Sequence, residues 1–234
     1  MKCTEEYRLN SEQNIAEPIP FRRPLTSRQR KYFVEHFALE ILKYCFGHTY
    51  DSFFVSDKPD IQNGEKRVGI EVTEAITREE AQIDGEFAKY QFEKEKKAKE
   101  RRKTIIEANG GKVDKLGITY PVKNSNIEKR IFQNAISIKM GKLASYKEQG
   151  FSKVGLFIYY DEPPIPFKIE ELKLYYDEIL NQYQEKYDLI YFVYPCGLVC
   201  YNVTEDNIYV IKIGRENYER LQYEARAIVE EKYM

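Results

Sequence analysis

Tryptophan is absent from this 234-residue chain, and His36 and His48 are its only histidines. A His-rich zinc site is therefore not expected, since zinc centres draw mainly on His and Cys. The four cysteines, Cys3, Cys45, Cys196 and Cys200, form no CxxC pair. That scatter suits free, reduced thiols and a cytoplasmic protein rather than a disulfide framework. No apolar run approaches the length of a membrane span, and the N-terminus lacks a signal-peptide core. Neither a membrane partner nor export is expected. Charge of one sign is also missing: 37 Lys and Arg stand against 38 Asp and Glu, a net charge of -1. This excludes a globally basic nucleic-acid binder but leaves room for a local basic face. There is no internal repeat and no low-complexity segment.

What is present is enough for a core. Hydrophobic residues make up 42% of the chain and charged residues 32%, with 20 Tyr and 13 Phe supplying much of the apolar volume. The length fits one large domain, or one domain with an elaboration. Residues 1–25 are polar and carry Pro18, Pro20 and Pro24, which reads as an arm. Arg22, Arg23, Arg28, Arg30 and Lys31 form the densest positive cluster without interleaved acids. Such a cluster suits a phosphate backbone, and equally an ordinary basic surface.

Thr26 or Ser27 caps a helix expected to run to about Phe46, with Val34, Phe37, Ala38, Ile41, Leu42 and Cys45 as its apolar stripe. Glu35 lies at the edge of that stripe and Glu40 further toward the polar side. Gly47 ends the helix, and a strand follows at about Tyr50–Val55. Thr77 caps a long helix from Arg78 to about Ala108, whose middle carries dense charge of both signs. Such runs are usually a solvated face held by i,i+4 pairs, with phosphate contact as the minority alternative. After Gly110-Gly111 comes a short extended stretch at Leu116–Val122. A second helix is expected from about Ser125 to Gln149, with Ile127, Ile131, Ala135, Ile138 and Leu143 near core spacing. Lys153–Tyr160 reads as a buried central strand, and Pro163, Pro164 and Pro166 as a loop. A helix at about 168–184 precedes strands at Leu189–Val193, Leu198–Asn202 and Ile208–Ile213, the last two paired as a hairpin. A helix from about Asn217 to Lys232 ends the chain. Helices alternating with strands predict an α/β fold with a mixed central sheet flanked by helices.

The segment Asp51–Ala75 carries the chemistry. Phe53-Phe54-Val55 leads to Pro59-Asp60-Ile61, then a turn at Asn63-Gly64, then Arg67-Val68-Gly69-Ile70-Glu71-Val72-Thr73. Side chains alternate across a strand, so Val68, Ile70 and Val72 share one face, and Gly69, Glu71 and Thr73 the other. Asp60 lies across the hairpin. Two carboxylates brought together near a sheet edge repel unless a cation sits between them, and hard oxygen ligands suit Mg²⁺. The plain alternative is an exposed hairpin with polar outer positions.

Taken together, the helix with an edge carboxylate, the Pro59-Asp60 strand, the Glu71-Val72-Thr73 strand and the later buried strand resemble the PD-(D/E)XK nuclease superfamily, with its restriction-endonuclease-like fold. The resemblance covers roughly Gln29 to Tyr160. With the arm at 1–25, it implies one nuclease-like α/β domain at 26–234, with a core at about 29–160 and a C-terminal elaboration at 161–234. It further implies that Asp60, Glu71 and the Val72 carbonyl hold Mg²⁺ or Mn²⁺. A Glu from the first helix, Glu35 before Glu40, would join them. The implied chemistry is metal-assisted hydrolysis of a phosphodiester.

Thr73 departs from the pattern, because the family usually has Lys there to position the attacking water and balance charge. Lys139 or Lys142 on the second long helix could supply that charge, or a second metal near Glu35 could replace it. A third alternative is a degenerate site that binds nucleic acid, or a protein partner, without cutting. The expected partner is nucleic acid, DNA before RNA, and a homodimer is a further expectation of the resemblance. An α/β protein with no nucleic-acid role remains as a third class.

Overall fold

The computed structural model describes residues 25–65, 67–114, 117–121, 125–162, 168–195 and 197–233. The N-terminal arm with Arg22 and Arg23, the prolines at 163, 164 and 166, and Cys3 and Cys196 lie outside the described residues. The chain divides into two compact units, one of Lys31–Ala75 and Glu128–Met234, the other of Met1–Arg30 and Ile76–Ile127.

The larger unit is built on a seven-stranded mixed sheet. Its strands are β1 (Phe54–Val55), β2 (Ile61–Asn63), β3 (Val68–Glu74), β6 (Lys153–Tyr159), β7 (Leu189–Tyr194), β8 (Gly197–Asn202) and β9 (Asn207–Lys212), in that spatial order. β1, β2 and β3 form an antiparallel meander, β3, β6 and β7 run parallel, and β7, β8 and β9 are antiparallel. β6 sits in the middle of this order, and its Val154, Leu156, Phe157 and Ile158 are fully buried. Burying such side chains contributes about 1.5–3 kcal/mol each, which is why a near-continuous apolar run reads as a covered strand.

Both faces of the sheet carry helices. On one, Phe37 of α1 (Ser27–Phe46) meets Tyr159 edge-on at 5.4 Å, and Tyr218 of α7 (Arg215–Tyr233) meets Phe37 at 5.2 Å. On the other, Phe132 of α4 (Ser125–Met140) packs on Phe192 at 4.7 Å, and Tyr176 of α6 (Ile169–Leu180) stacks on Tyr201. α5 (Leu143–Glu148) follows α4 on that second face.

α1 starts where its cap predicts, with Thr26 Oγ1 accepting the Gln29 N–H and Gln29 Oε1 accepting the Thr26 N–H. Three expectations need correction. The strand expected from Tyr50 begins only at Phe54, because Gly47–Thr49 form a 3-10 turn that runs on through Tyr50. The helix expected over Ser125–Gln149 breaks at Gly141 and Lys142 into α4 and α5. Within it, Ile131, Ala135 and Leu143 are buried, but Ile138 is exposed. Phe132, Ile136 and Met140, in i,i+4 steps, are buried along with them, and the exposed Ile138 lies near the end of α4.

The smaller unit corrects a third reading. The helix expected over Arg78–Ala108 is two helices, α2 (Arg78–Phe92) and α3 (Lys96–Ala108). Thr77 and Glu80 form a reciprocal capping box at the start of α2. Sixteen residues of straight helix would span about 24 Å. Yet Arg102 on α3 hydrogen-bonds Glu86 on α2 at 2.9 Å, so the chain folds back on itself at Glu93. A short antiparallel pair, β4 (Lys112–Val113) and β5 (Ile118–Thr119), follows. It contains part of the extended stretch expected at Leu116–Val122, whose two end residues are outside the described set.

Candidate active site

Asp60 precedes β2, and its position is set by backbone on both sides. Its carbonyl accepts the Ser56 N–H at 2.8 Å, and its Oδ2 accepts the Val72 N–H at 2.8 Å. The carboxylate is thereby tied to β3 one residue beyond Glu71. Pro59 lies so close over β3 that a Cβ built on Gly69 would stand 2.3 Å from its Cγ. Gly69 is what lets the Pro59-Asp60 segment approach.

Glu71 is not on a sheet edge, and the hairpin is not an exposed one. β3 is flanked by β2 and β6, and Glu71 has 0% exposure, with Asp60 at 3%. A buried carboxylate needs partners, since isolated charge in an apolar interior costs several kcal/mol. Glu71 has three of them. Lys139 Nζ and Lys142 Nζ each lie 2.5 Å from Oε1, and the Tyr146 hydroxyl donates to Oε2. Burial pushes the Glu71 carboxyl up, but Lys139, Lys142 and Tyr146 outweigh it and hold the group below the usual carboxylate range. Tyr187 donates to the Lys139 carbonyl at 2.7 Å and anchors that turn of α4.

Lys139 Nζ also lies 4.0 Å from Asp60 Oδ2. Asp60 is pushed above its usual range by burial and by the Glu71 charge, despite its bond to Val72 and the nearby lysines. Glu35 joins from α1. It is 2% exposed, and its carboxyl is pushed up to about 7 by burial first and by Asp60 second. Lys31 Nζ lies 3.3 Å from Glu35 Oε1 and 3.9 Å from Asp60 Oδ1. The Lys31 contact is an ion pair without hydrogen-bond alignment, and Glu35 Oε1 accepts no hydrogen bond among the described residues. Three carboxylates (Glu35, Asp60, Glu71) thus meet three ammonium groups (Lys31, Lys139, Lys142).

The structure brings together Glu35, Asp60, Glu71, Lys139 and Lys142. Thr73 sits half-buried on the same strand face as Glu71, two residues on. Val72 enters through its N–H. Glu40 does not take part, pairing instead with Lys43 at 3.4 Å. Lys31 belongs to the site rather than to a free basic surface. Tyr146 was not singled out by sequence reasoning; it reaches Glu71 from α5, beyond the break at Gly141 and Lys142.

Among the described residues, no three His, Cys, Asp or Glu side chains converge as they stand into a group that could hold a metal ion. In donor type, however, the residues fit a hard divalent cation. All three acids offer carboxylate oxygen, Glu35 Oε1 is buried without a hydrogen bond, and Asp60 raises the carboxyl of Glu35 as Glu71 raises that of Asp60. A cation among them would relieve that repulsion. No protein-family model matches the chain, and neither does a curated protein or a solved structure.

Proposed function

We propose that the protein is a divalent-cation-dependent nuclease acting on DNA before RNA, with Asp60, Glu71 and Lys139 at the centre of its site. The observation that carries this reading is the buried Asp60–Glu71 pair with the Lys139 ammonium 2.5 Å from Glu71 and 4.0 Å from Asp60. The element order supports it too: a helix bearing Glu35, an antiparallel three-strand meander bearing both acids, a helix bearing Lys139, then a strand parallel to β3. That order is what the resemblance to the PD-(D/E)XK superfamily implies.

Asp60, Glu71, Glu35 and the Val72 carbonyl would hold Mg²⁺ or Mn²⁺. When bound, the cation lowers the pKa of a water and screens the phosphate charge. Asp60 is held in place by the Val72 N–H, so its carboxylate keeps its aim without reorganising. Lys139 supplies the ammonium that Thr73 does not, available to orient a water and to offset negative charge as the phosphoryl oxygens gain it. Lys142 shares Glu71 with Lys139, which leaves Lys139 free to turn toward substrate without stranding a buried charge. A cytoplasmic location accompanies this reading, supported by two described cysteines, Cys45 and Cys200, that are free thiols. No described helix is long and apolar enough to cross a membrane.

A second reading has its own observation. Both oxygens of Glu71 already have partners in Lys139, Lys142 and Tyr146, so the acid is satisfied without a cation. This favours a degenerate site that binds nucleic acid without cutting. Incubating labelled DNA with Mg²⁺ or Mn²⁺ beside an Asp60→Ala, Glu71→Ala double variant separates the two. Cleavage by the wild type alone is expected. Cleavage unchanged in the variant would remove the assignment, and binding without cleavage in both would favour the degenerate site.

A further inference from the structure

The elbow between α2 and α3 is rich in charge, with more cations than carboxylates. Residues 94–103 hold seven cations (Lys94, Lys96, Lys97, Lys99, Arg101, Arg102, Lys103) and two carboxylates (Glu95, Glu100). The acids on the inner side of the hairpin are consumed internally. Glu93 Oε1 accepts the backbone N–H groups of Lys94 and Glu95, at 3.1 and 3.2 Å, in the turn that leads into α3. Glu93 Oε2 and Glu86 both take the Arg102 guanidinium. Lys99 lies over the Tyr90 ring at 4.7 Å, and Lys103 is 3.8 Å from Glu107.

Four cations are left over. Among the described residues, Lys94, Lys96, Lys97 and Arg101 are exposed and make no ion pair, and Phe92 beside them is 47% exposed. Lys97 and Arg101 are one helical turn apart on α3, Lys96 is the residue before Lys97, and Lys94 precedes the helix. A solvated helix face held by i,i+4 pairs would have matched these residues with carboxylates. Here Glu86 and Glu93 turn to Arg102, while Glu95 and Glu100 stand exposed beside the four cations and leave the outer side net positive. An exposed aromatic ring among unpaired cations is the combination that takes a nucleic-acid strand, with phosphates on the cations and a base on the ring.

We infer that this elbow is a nucleic-acid-binding surface, in which Lys94, Lys96, Lys97 and Arg101 contact the phosphate backbone and Phe92 stacks on an unpaired base. The inference rests on the nucleic-acid reading of the Asp60–Glu71 site, but it needs neither a metal nor cleavage.

The test measures binding of a labelled single-stranded oligonucleotide to the full chain in EDTA, over a range of salt concentrations. The comparison is a variant with Lys94→Gln, Lys96→Gln, Lys97→Gln and Arg101→Gln, plus Phe92→Ala alone. The Arg102–Glu86–Glu93 contacts are untouched, and a circular-dichroism melt checks that folding is kept. Four lost phosphate contacts should make the salt slope of log K shallower by about 3. Phe92→Ala should weaken binding roughly 5- to 150-fold with the slope kept. Binding with an unchanged slope in the quadruple variant overturns the elbow while leaving the nuclease reading intact. No oligonucleotide binding by the wild type overturns the elbow, and the nuclease reading is then decided by the Mg²⁺ or Mn²⁺ cleavage assay. Binding of the wild type to phosphatidylserine vesicles in place of the oligonucleotide would assign the surface to an anionic membrane and also overturn the inference.

Discussion

Lys139 Nζ lies 2.5 Å from the Oε1 of Glu71, a pairing between α4 and β3 across 68 residues of sequence. It places an ammonium group against a fully buried carboxylate on the inner side of the sheet, two residues before the threonine at position 73. The pair has consequences for stability that do not depend on any reaction.

Lys139→Met removes one of Glu71's three partners and is expected to destabilise the fold by about 1–3 kcal/mol in urea melts near neutral pH. Lys142 and Tyr146 remain, which keeps the loss below that of stripping a buried charge bare. Adding Glu71→Gln to Lys139→Met should return part of the loss, because the charge left uncompensated is gone. Glu71 is held below its ordinary value of 4.5 by Lys139 and its neighbours, so its contribution is present above the unfolded carboxyl range and is lost as pH falls through the folded value. The wild-type stability curve should therefore drop more steeply below pH 4.5 than that of Glu71→Gln.

Glu35 has the opposite sign. Its carboxyl is raised from 4.5 to about 7, so the folded protein holds a proton that the unfolded chain releases between those values. This group's effect is a stability that falls as pH rises from about 4.5 to 7. Glu35→Gln removes that decline and should be more stable than the wild type above pH 7, with the advantage fading below 4.5. The same variant should gain less than the wild type in melting temperature when Mg²⁺ or Mn²⁺ is added. An equal gain in both would remove Glu35 from the cation site.

His36 is buried and its Nε2 has no hydrogen bond among the described residues. Burial, with Lys232 and Lys43 nearby, lowers it from 6.5 to about 4. The unfolded chain therefore takes up a proton that the folded one refuses, and stability is lost as pH falls from about 6.5 toward 4. His36→Leu should flatten that part of the curve, as read from denaturant midpoints at pH 7, 6 and 5.

Gly69→Ala places a methyl group where Pro59 Cγ stands 2.3 Å away, so the Pro59-Asp60 segment must move. Overpacking of this kind costs about 1–3 kcal/mol. Because Asp60 Oδ2 is tied to the Val72 N–H, the shift should also appear as an altered Val72 amide resonance. A variant with wild-type stability and an unmoved Val72 resonance would show that the approach of Pro59 is looser than the structure has it.

Local patterns in the chain carried part of this. Alternation over Val68–Thr73 places Glu71 and Thr73 on one face, and the run Lys153–Tyr159 announces a covered strand. Thr26 and Thr77 cap helices where their hydroxyls suggest. What stayed hidden depends on partners remote in sequence. The fold-back at Glu93 turns on Arg102 reaching Glu86, and the residues around Glu93 are ordinary helix formers. Tyr146 is one of 20 tyrosines, and nothing local marks it as the donor to Glu71. The depth of Glu71 was likewise invisible, because a two-strand hairpin does not reveal that β6 will cover its inner edge.

Single-turnover cleavage of end-labelled DNA in Mg²⁺ tests the site most directly, comparing wild type with Asp60→Asn, Lys139→Met, and Lys139→Met carrying Thr73→Lys. The account predicts cation-dependent cleavage by the wild type, a loss of roughly 100-fold or more in the Asp60 and Lys139 variants, and partial recovery with lysine at position 73. Wild-type cleavage rates retained in both Asp60→Asn and Lys139→Met, or no cleavage by the wild type with either Mg²⁺ or Mn²⁺, would contradict it.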